Sequence, residues 1–167
     1  WDFLGINIYG RFNVRFSLRE VNRGFMQMNT PSDTPTGDLD PNGRNIYGEC
    51  YPQGIRAVVD RYRCHGKPFY VMETGVQDRG DLVRPWVLAQ GVLTVAALLA
   101  EGVPILGYHH WTLVDNFEWA HGWHLRFGLV ALDRGSGERK PRPSAKLYQK
   151  IVAGNKITRN LLEEYVK

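Results

Sequence analysis

Three short apolar runs, each followed by a stretch with helical periodicity, place the tightest limit on what this chain can fold into. Residues 3–9 form an apolar run of strand character, as do Phe69, Tyr70, Val71 and Met72, and then residues 105–110. After the first, Pro52 opens a helix whose one face carries Ile55, Val58, Val59 and Tyr62, with Gly66 as a stop. After the second, Asp81 is placed to cap a helix reaching about Glu101, with Gly102 as its terminal signal. Its apolar positions are Val87, Leu88, Val95, Leu98 and Leu99. After the third, residues 127–132 read as a short extended piece. Residues 144–153 then read as a helix with Ala145, Leu147, Tyr148, Ile151 and Val152 apolar. Strand and helix in strict alternation argue for parallel strands joined by helical crossovers.

Ionisable and polar residues gather just after each strand: Asn7 and Tyr9, then Glu73, then the stretch from His109 onward. That is the carboxyl end, where α/β barrels and open α/β sheets build their sites. Three strands cannot close a barrel, which takes eight strands and typically about 250 residues. Between the first strand and its helix, residues 10–47 are rich in Gly, Pro, Asn, Asp, Thr and Arg. They show one short strand-like piece, over residues 12–18. Long loops of this kind in compact domains are usually functional or disordered.

The stretch Trp111-Thr112-Leu113-Val114-Asp115-Asn116-Phe117-Glu118-Trp119 sets two indoles and two carboxylates in one short segment after the third strand. A sugar offers C–H faces for stacking and hydroxyls for hydrogen bonding, so such a mixture suits a carbohydrate. For Trp111 ordinary packing is the plain alternative. Asp115 and Asn116 read as residues that cap and brace the loop. Adjacent strand residues point to opposite faces, so His109 and His110 cannot easily share one ion, and no third ligand sits at metal spacing. One histidine is expected to face inward near the site and the other outward, with no metal and no cofactor.

Bulk properties narrow the classes further. At 167 residues with 43% hydrophobic and 23% charged residues, the chain is globular rather than disordered. Its net charge of +4 is spread along the chain. The densest cationic cluster, residues 134–142, contains Glu138 and reads as a solvated turn, so no nucleic-acid partner is expected. The longest apolar stretch, residues 92–100, is broken by Thr94 and too short for a bilayer, so no membrane partner is expected. Cys50 and Cys64 make no disulfide framework and read as two reduced, partly buried thiols. With no signal peptide at the start, the expected setting is cytoplasmic. The chain opens on Trp1 directly before a core strand, which reads as a piece of a longer protein.

Several motifs in the same order resemble one family. They are Phe3-Leu4-Gly5-Ile6-Asn7-Ile8-Tyr9, Tyr51-Pro52-Gln53-Gly54-Ile55, and Tyr70-Val71-Met72-Glu73-Thr74-Gly75. Gly107-Tyr108 with residues 111–119 follows, then Gly122-Trp123, Arg126-Phe127-Gly128-Leu129, and Arg139, Arg142 and Ser144. Together they resemble the C-terminal part of glycoside hydrolase family 1, the β-glucosidase family. The resemblance implies an α/β fold consisting of strands six to eight of a (β/α)8 TIM barrel with their helices. Residues 1–167 would then be one C-terminal segment of a single glycosidase domain, with residues 10–47 as a long βα loop.

What the resemblance implies for chemistry is a retaining β-glycosidase acting on β-glucosides or related β-glycosides. Such an enzyme uses a carboxylate nucleophile and a second carboxyl group as general acid, about 5 to 5.5 Å apart. Glu73 would be the nucleophile; on the residues alone it reads equally well as a surface glutamate at a strand end. Tyr9 would donate a hydrogen bond to Glu73 and keep it ionised, and Asn7 would support the site. Glu118 would accept from two sugar hydroxyls, Trp119 would donate its indole N–H to another, Trp111 would stack under the ring, and Phe127 would line the same subsite.

Two departures from the family pattern matter. Thr74 stands where the family usually has Asn. The family's general acid lies in an Asn-Glu-Pro motif of the N-terminal half, and this sequence holds no Asn-Glu-Pro. The implied partners are therefore a carbohydrate substrate and a complementary N-terminal half of the barrel, in the same or a separate chain, and residues 1–167 alone would be inactive. The alternatives are a non-catalytic sugar-binding or scaffold fragment and an interaction domain without ligand.

Overall fold

The structure, a computed structural model, describes residues 1–24, 26–29 and 35–166. In chain order its elements are strands β1 (Leu4–Asn7), β2 (Gly10–Arg11), β3 (Asn13–Phe16), β4 (Met26–Asn29) and β5 (Glu49–Cys50), then helix α1 (Gly54–Tyr62) and β6 (Phe69–Glu73). Helix α2 (Arg84–Ala100), β7 (Ile105–Tyr108), β8 (Val130–Leu132), β9 (Arg139–Pro141), α3 (Pro143–Gly154) and α4 (Arg159–Tyr165) follow.

The expected alternation is present. Strands β1, β6 and β7 form one parallel sheet in that order. Helices α1 and α2 cover one face of it. Ile6, Phe69 and Val71 pack there against Ile55, Val59, Val95 and Leu98, all buried. Burial of these apolar side chains drives the layering, because each element is apolar on one side and must hide that side. Helix α3 packs beside α2 through Leu88, Leu147 and Ile151, and its Tyr148 hydroxyl donates to the Tyr108 carbonyl of β7 at 3.0 Å. The other face of the sheet shows Met72 and Leu106, both exposed. In a closed barrel that face points inward.

Several expectations are corrected. In the loop over residues 10–47 the short strand expected within 12–18 is present as β3; beyond that expectation, β3 pairs with β4 as an antiparallel hairpin and β2 pairs with β5 past the loop. Val14, Phe16, Met26 and Met28 of the hairpin are exposed. Asp81 does not cap α2. It adopts a positive φ of 57°, which turns its carboxylate toward α3. There it accepts the backbone N–H of Ser144 at 2.7 Å and the Ser144 hydroxyl at 2.6 Å. The cap of α2 is supplied instead by Asp78, whose Oδ2 accepts the N–H groups of Val83 and Arg84 at 2.7 and 2.8 Å.

Residues 134–141 are exposed, as expected of a solvated turn; they supply the turn of the β8–β9 hairpin and strand β9, and only Arg142 at their end departs from the expectation, being buried. Helix α4 was not foreseen, because its seven residues carry too little periodicity to stand out. Cys50 is buried, whereas Cys64 is exposed rather than partly buried.

Candidate active site

Register brings the first site residues together. The Cα of Asn7 pairs with that of Glu73, so the ends of β1 and β6 meet at the same height. The backbone N–H of Ile8 donates to the Glu73 carbonyl at 3.0 Å. Two residues past the end of β1, the Tyr9 hydroxyl lies 2.6 Å from Oε2 of Glu73 and donates to it. Burial, followed by this hydrogen bond and the Glu73 charge, pushes the Tyr9 phenol far above its ordinary value near 10. Tyr9 is therefore a fixed donor at neutral pH.

The Trp111–Trp119 stretch reaches the same place from the end of β7. The Trp111 N–H donates to the Thr74 carbonyl at 2.8 Å, and the Trp111–Thr112 peptide bond is cis. Gly75 makes this approach feasible. A Cβ at that position would sit 2.0 Å from the Trp111 carbonyl oxygen, a backbone atom that cannot swing aside. The Trp111 ring is half-buried.

Glu118 is buried, 4% exposed. Tyr47 donates to its Oε1 and the Asn116 side-chain amide to its Oε2, each at 2.8 Å. The Tyr47 ring stands 5.2 Å from the Tyr9 ring and 5.3 Å from that of Phe127. Burial, then the Glu118 hydrogen bond and charge, raises the Tyr47 phenol as well, with a smaller push from Glu73. The pKa of Tyr9 in turn responds to Glu118. Two tyrosine–glutamate pairs thus lie side by side at the carboxyl ends of the strands.

The candidate residues occupy unequal positions. Glu73, Tyr9 and Asn7 meet at adjacent strand ends. Trp111 joins them through Thr74 and Gly75, and Glu118 joins through the tyrosine pair. Phe127 is fully buried and sits edge-on to Tyr9 at 6.0 Å and to Tyr47, so its ring backs the tyrosines. Trp119 is 82% exposed, at the start of a short 3-10 turn, and offers its indole to solvent. Of the two histidines, His109 is exposed and stacks on Tyr70 at 5.1 Å, while His110 is buried beside Gly75. Burial first, and then the Arg84 charge, pushes His110 down to about 3, so it is neutral.

Asp115 braces the loop as expected of it. It accepts the N–H of Gly128 at 2.9 Å and forms a forked pair with Arg142, both contacts at 3.1 Å. Tyr47 carries no mark in the sequence. It lies at the end of a loop without periodicity, and its partner is 71 residues further along, so no local pattern marks it. Among the described residues, no group of three or more His, Cys, Asp or Glu could hold a metal ion.

The chain as a whole matches known proteins in sequence and in fold. The sequence profile of glycosyl hydrolase family 1 covers residues 1–157. The chain belongs to glycosyl hydrolase family 1. It is 39% identical to the chloroplastic beta-glucosidase-like SFR2 of Oryza sativa subsp. japonica, over 95% of this chain and 23% of that protein. It is 37% identical to the beta-galactosidase of Pyrococcus woesei, over 99% of this chain and 34% of the relative. In three dimensions it superposes on the beta-glycosidase from Pyrococcus horikoshii with a TM-score of 0.79 and 30% identity, covering 98% of this chain and 37% of the other. The three-stranded sheet and its helices are thus part of a family 1 (β/α)8 barrel, and the chain spans about a quarter to a third of the length of its curated relatives.

Proposed function

We propose that residues 1–167 supply the nucleophile and much of the sugar-binding wall of a retaining family 1 β-glycosidase. The observation that carries this reading is the 2.6 Å hydrogen bond from Tyr9 to Glu73 at the meeting strand ends, next to the buried Glu118. A strand-end carboxylate with one oxygen held by a permanent donor is oriented, with its other oxygen open to react.

In the proposed cycle, that oxygen of Glu73 attacks the anomeric carbon. The bond from this carbon to the aglycone oxygen breaks, and the leaving oxygen takes a proton from a carboxylic acid on the opposite side. Water then attacks the anomeric carbon, the Glu73–sugar bond breaks, and the water's proton returns to the same acid. That acid is contributed by the N-terminal half of the barrel, which pairs along the edges of the sheet at β1 and β7. Glu118 accepts hydrogen bonds from sugar hydroxyls, Trp111 stacks against the ring, and Trp119 closes over a further hydroxyl. Asn7 supports the nucleophile from the neighbouring strand.

The test is covalent trapping in the whole protein that carries this segment. A 2-deoxy-2-fluoro β-glycoside with a dinitrophenyl leaving group needs little acid assistance to form the glycosyl-enzyme, while the fluorine slows its breakdown. Mass spectrometry is expected to find one fluorosugar on the peptide containing Glu73. Labelling elsewhere, or turnover with no labelling of Glu73, would sink the assignment.

A further inference from the structure

Glu118 is held from two sides, by Tyr47 on Oε1 and by Asn116 on Oε2. An ionised carboxylate offers about four acceptor directions, so roughly one remains open on each oxygen. At 4% exposure those directions are not served by bulk water, and the carboxylate cannot turn without losing a donor.

Tyr47 is itself braced. Its ring packs in a three-ring cluster with those of Tyr9 and Phe127. Its main chain is clamped by Asn45, which accepts the Gly48 N–H at 2.8 Å and donates to the Gly48 carbonyl at 3.0 Å. Gly48 has a φ of 75°, and a Cβ there would meet the Arg11 carbonyl oxygen at 2.3 Å. The turn that presents Tyr47 therefore depends on glycine at this position. Directly after it, β5 is tied to β2 by backbone pairing and by the Arg11–Glu49 ion pair. These features make Tyr47 a rigid donor rather than a loop side chain that happens to touch Glu118.

We propose that Tyr47 is a specificity-determining positioning residue: it fixes the plane of the Glu118 carboxylate, so that the two open acceptor directions match one pair of sugar hydroxyls. A sugar that lacks one of the pair, or presents it on the other side of the ring, leaves a buried acceptor unpaired and is rejected. This rests on the glycosidase reading above and adds to it the device that selects the sugar. With Tyr47→Phe the ring packing is kept but the carboxylate retains only the Asn116 donor and can turn about that single hold, and discrimination falls.

The test compares the whole protein with its Tyr47→Phe variant on an aryl β-glucoside and its monodeoxy and epimeric analogues. kcat/KM is measured for each. The corresponding free sugars are titrated by tryptophan fluorescence, which needs no turnover. The wild type is expected to penalise at least one deoxy or epimeric sugar. In Tyr47→Phe the ratio of parent to that sugar is expected to narrow about tenfold, the scale of one hydrogen bond to a charged group. Equal slowing of every sugar, or a ratio unchanged within about twofold, overturns the proposal and leaves the hydroxyl a packing role. If the protein binds sugars but hydrolyses none, the hydrolytic reading falls and the binding ratios alone decide for or against Tyr47. Binding of no sugar overturns both.

Discussion

The hydroxyl of Tyr9 and the carboxylate of Glu73 are 64 residues apart in the chain and 2.6 Å apart in the structure. A hydrogen bond to a charged group contributes about 1.5–3 kcal/mol, and in a catalytic step each 1.4 kcal/mol is roughly tenfold in rate. Tyr9→Phe in the whole protein is therefore expected to lower kcat on aryl β-glycosides about tenfold to a hundredfold, with its melting temperature nearly unchanged. Steady-state kinetics beside a thermal melt checks this. An unaltered kcat would remove Tyr9 from the machinery.

Gly75 separates the end of β6 from the Trp111 carbonyl by less than a methyl group requires. Gly75→Ala must push the Trp111 loop away from the strand end. The expected outcome is weaker sugar binding, seen as a rise in KM or a loss of the tryptophan fluorescence response, beyond any loss of stability. A variant that binds sugar as tightly as the wild type would show that the contact is slack.

The forked pair of Asp115 and Arg142 is buried and ties the Trp111 loop to the start of α3. Removing Arg142 takes away the forked partner of the buried Asp115 carboxylate and leaves it only the longer contact to Arg126, at 3.8 Å. Arg142→Ala is expected to cost about 3–5 kcal/mol of stability in urea unfolding. Arg142→Met combined with Asp115→Asn is expected to recover much of it, because neither side then buries a lone charge. Equal destabilisation by the single and double variants would show that the pair acts through packing alone.

His110 predicts a pH dependence of stability. Its folded pKa, near 3, lies below the ordinary 6.5, so below 6.5 the unfolded chain takes up a proton that the folded chain refuses. The contribution of this group is therefore fully present above about pH 6.5 and is lost progressively as pH falls toward 3. Urea unfolding of the wild type at several pH values in that window should show the decline, and His110→Asn should flatten it. A variant with the same slope as the wild type would assign the effect to other groups.

Much of the scaffold was legible because its signals are local. The apolar runs in β1, β6 and β7 and the periodic faces of α1, α2 and α3 each declare themselves within a few residues. Glu73 stood out as the first carboxylate after a buried strand. Asp115 and Asn116 were legible as bracing residues because side chains of that kind bond to nearby backbone. Asp81 misled for the same reason: it sits where a cap belongs, yet its positive φ aims the carboxylate at Ser144, 63 residues away. Arg142 was read as solvated because a cluster of charges and glycines looks the same whether or not one of its members turns inward.

The amino-acid sequence by itself determined the order of strands and helices, the family, and which carboxylates and indoles are available for chemistry. Periodicity and strand-end motifs depend on neighbours in the chain, so they can be read without coordinates. The pairing of Tyr9 with Glu73 was implied by the family resemblance, and the tertiary structure gave it a 2.6 Å geometry; only the tertiary structure decided that Tyr47 meets Glu118 and that Phe127 stands behind both tyrosines. Those contacts join residues on separate crossover units, and their geometry follows from strand register, the turn at Gly48 and the packing of α1 and α2 on the sheet. A hydrogen bond depends on tenths of an ångström and on direction, and a linear pattern of residue types does not carry that information.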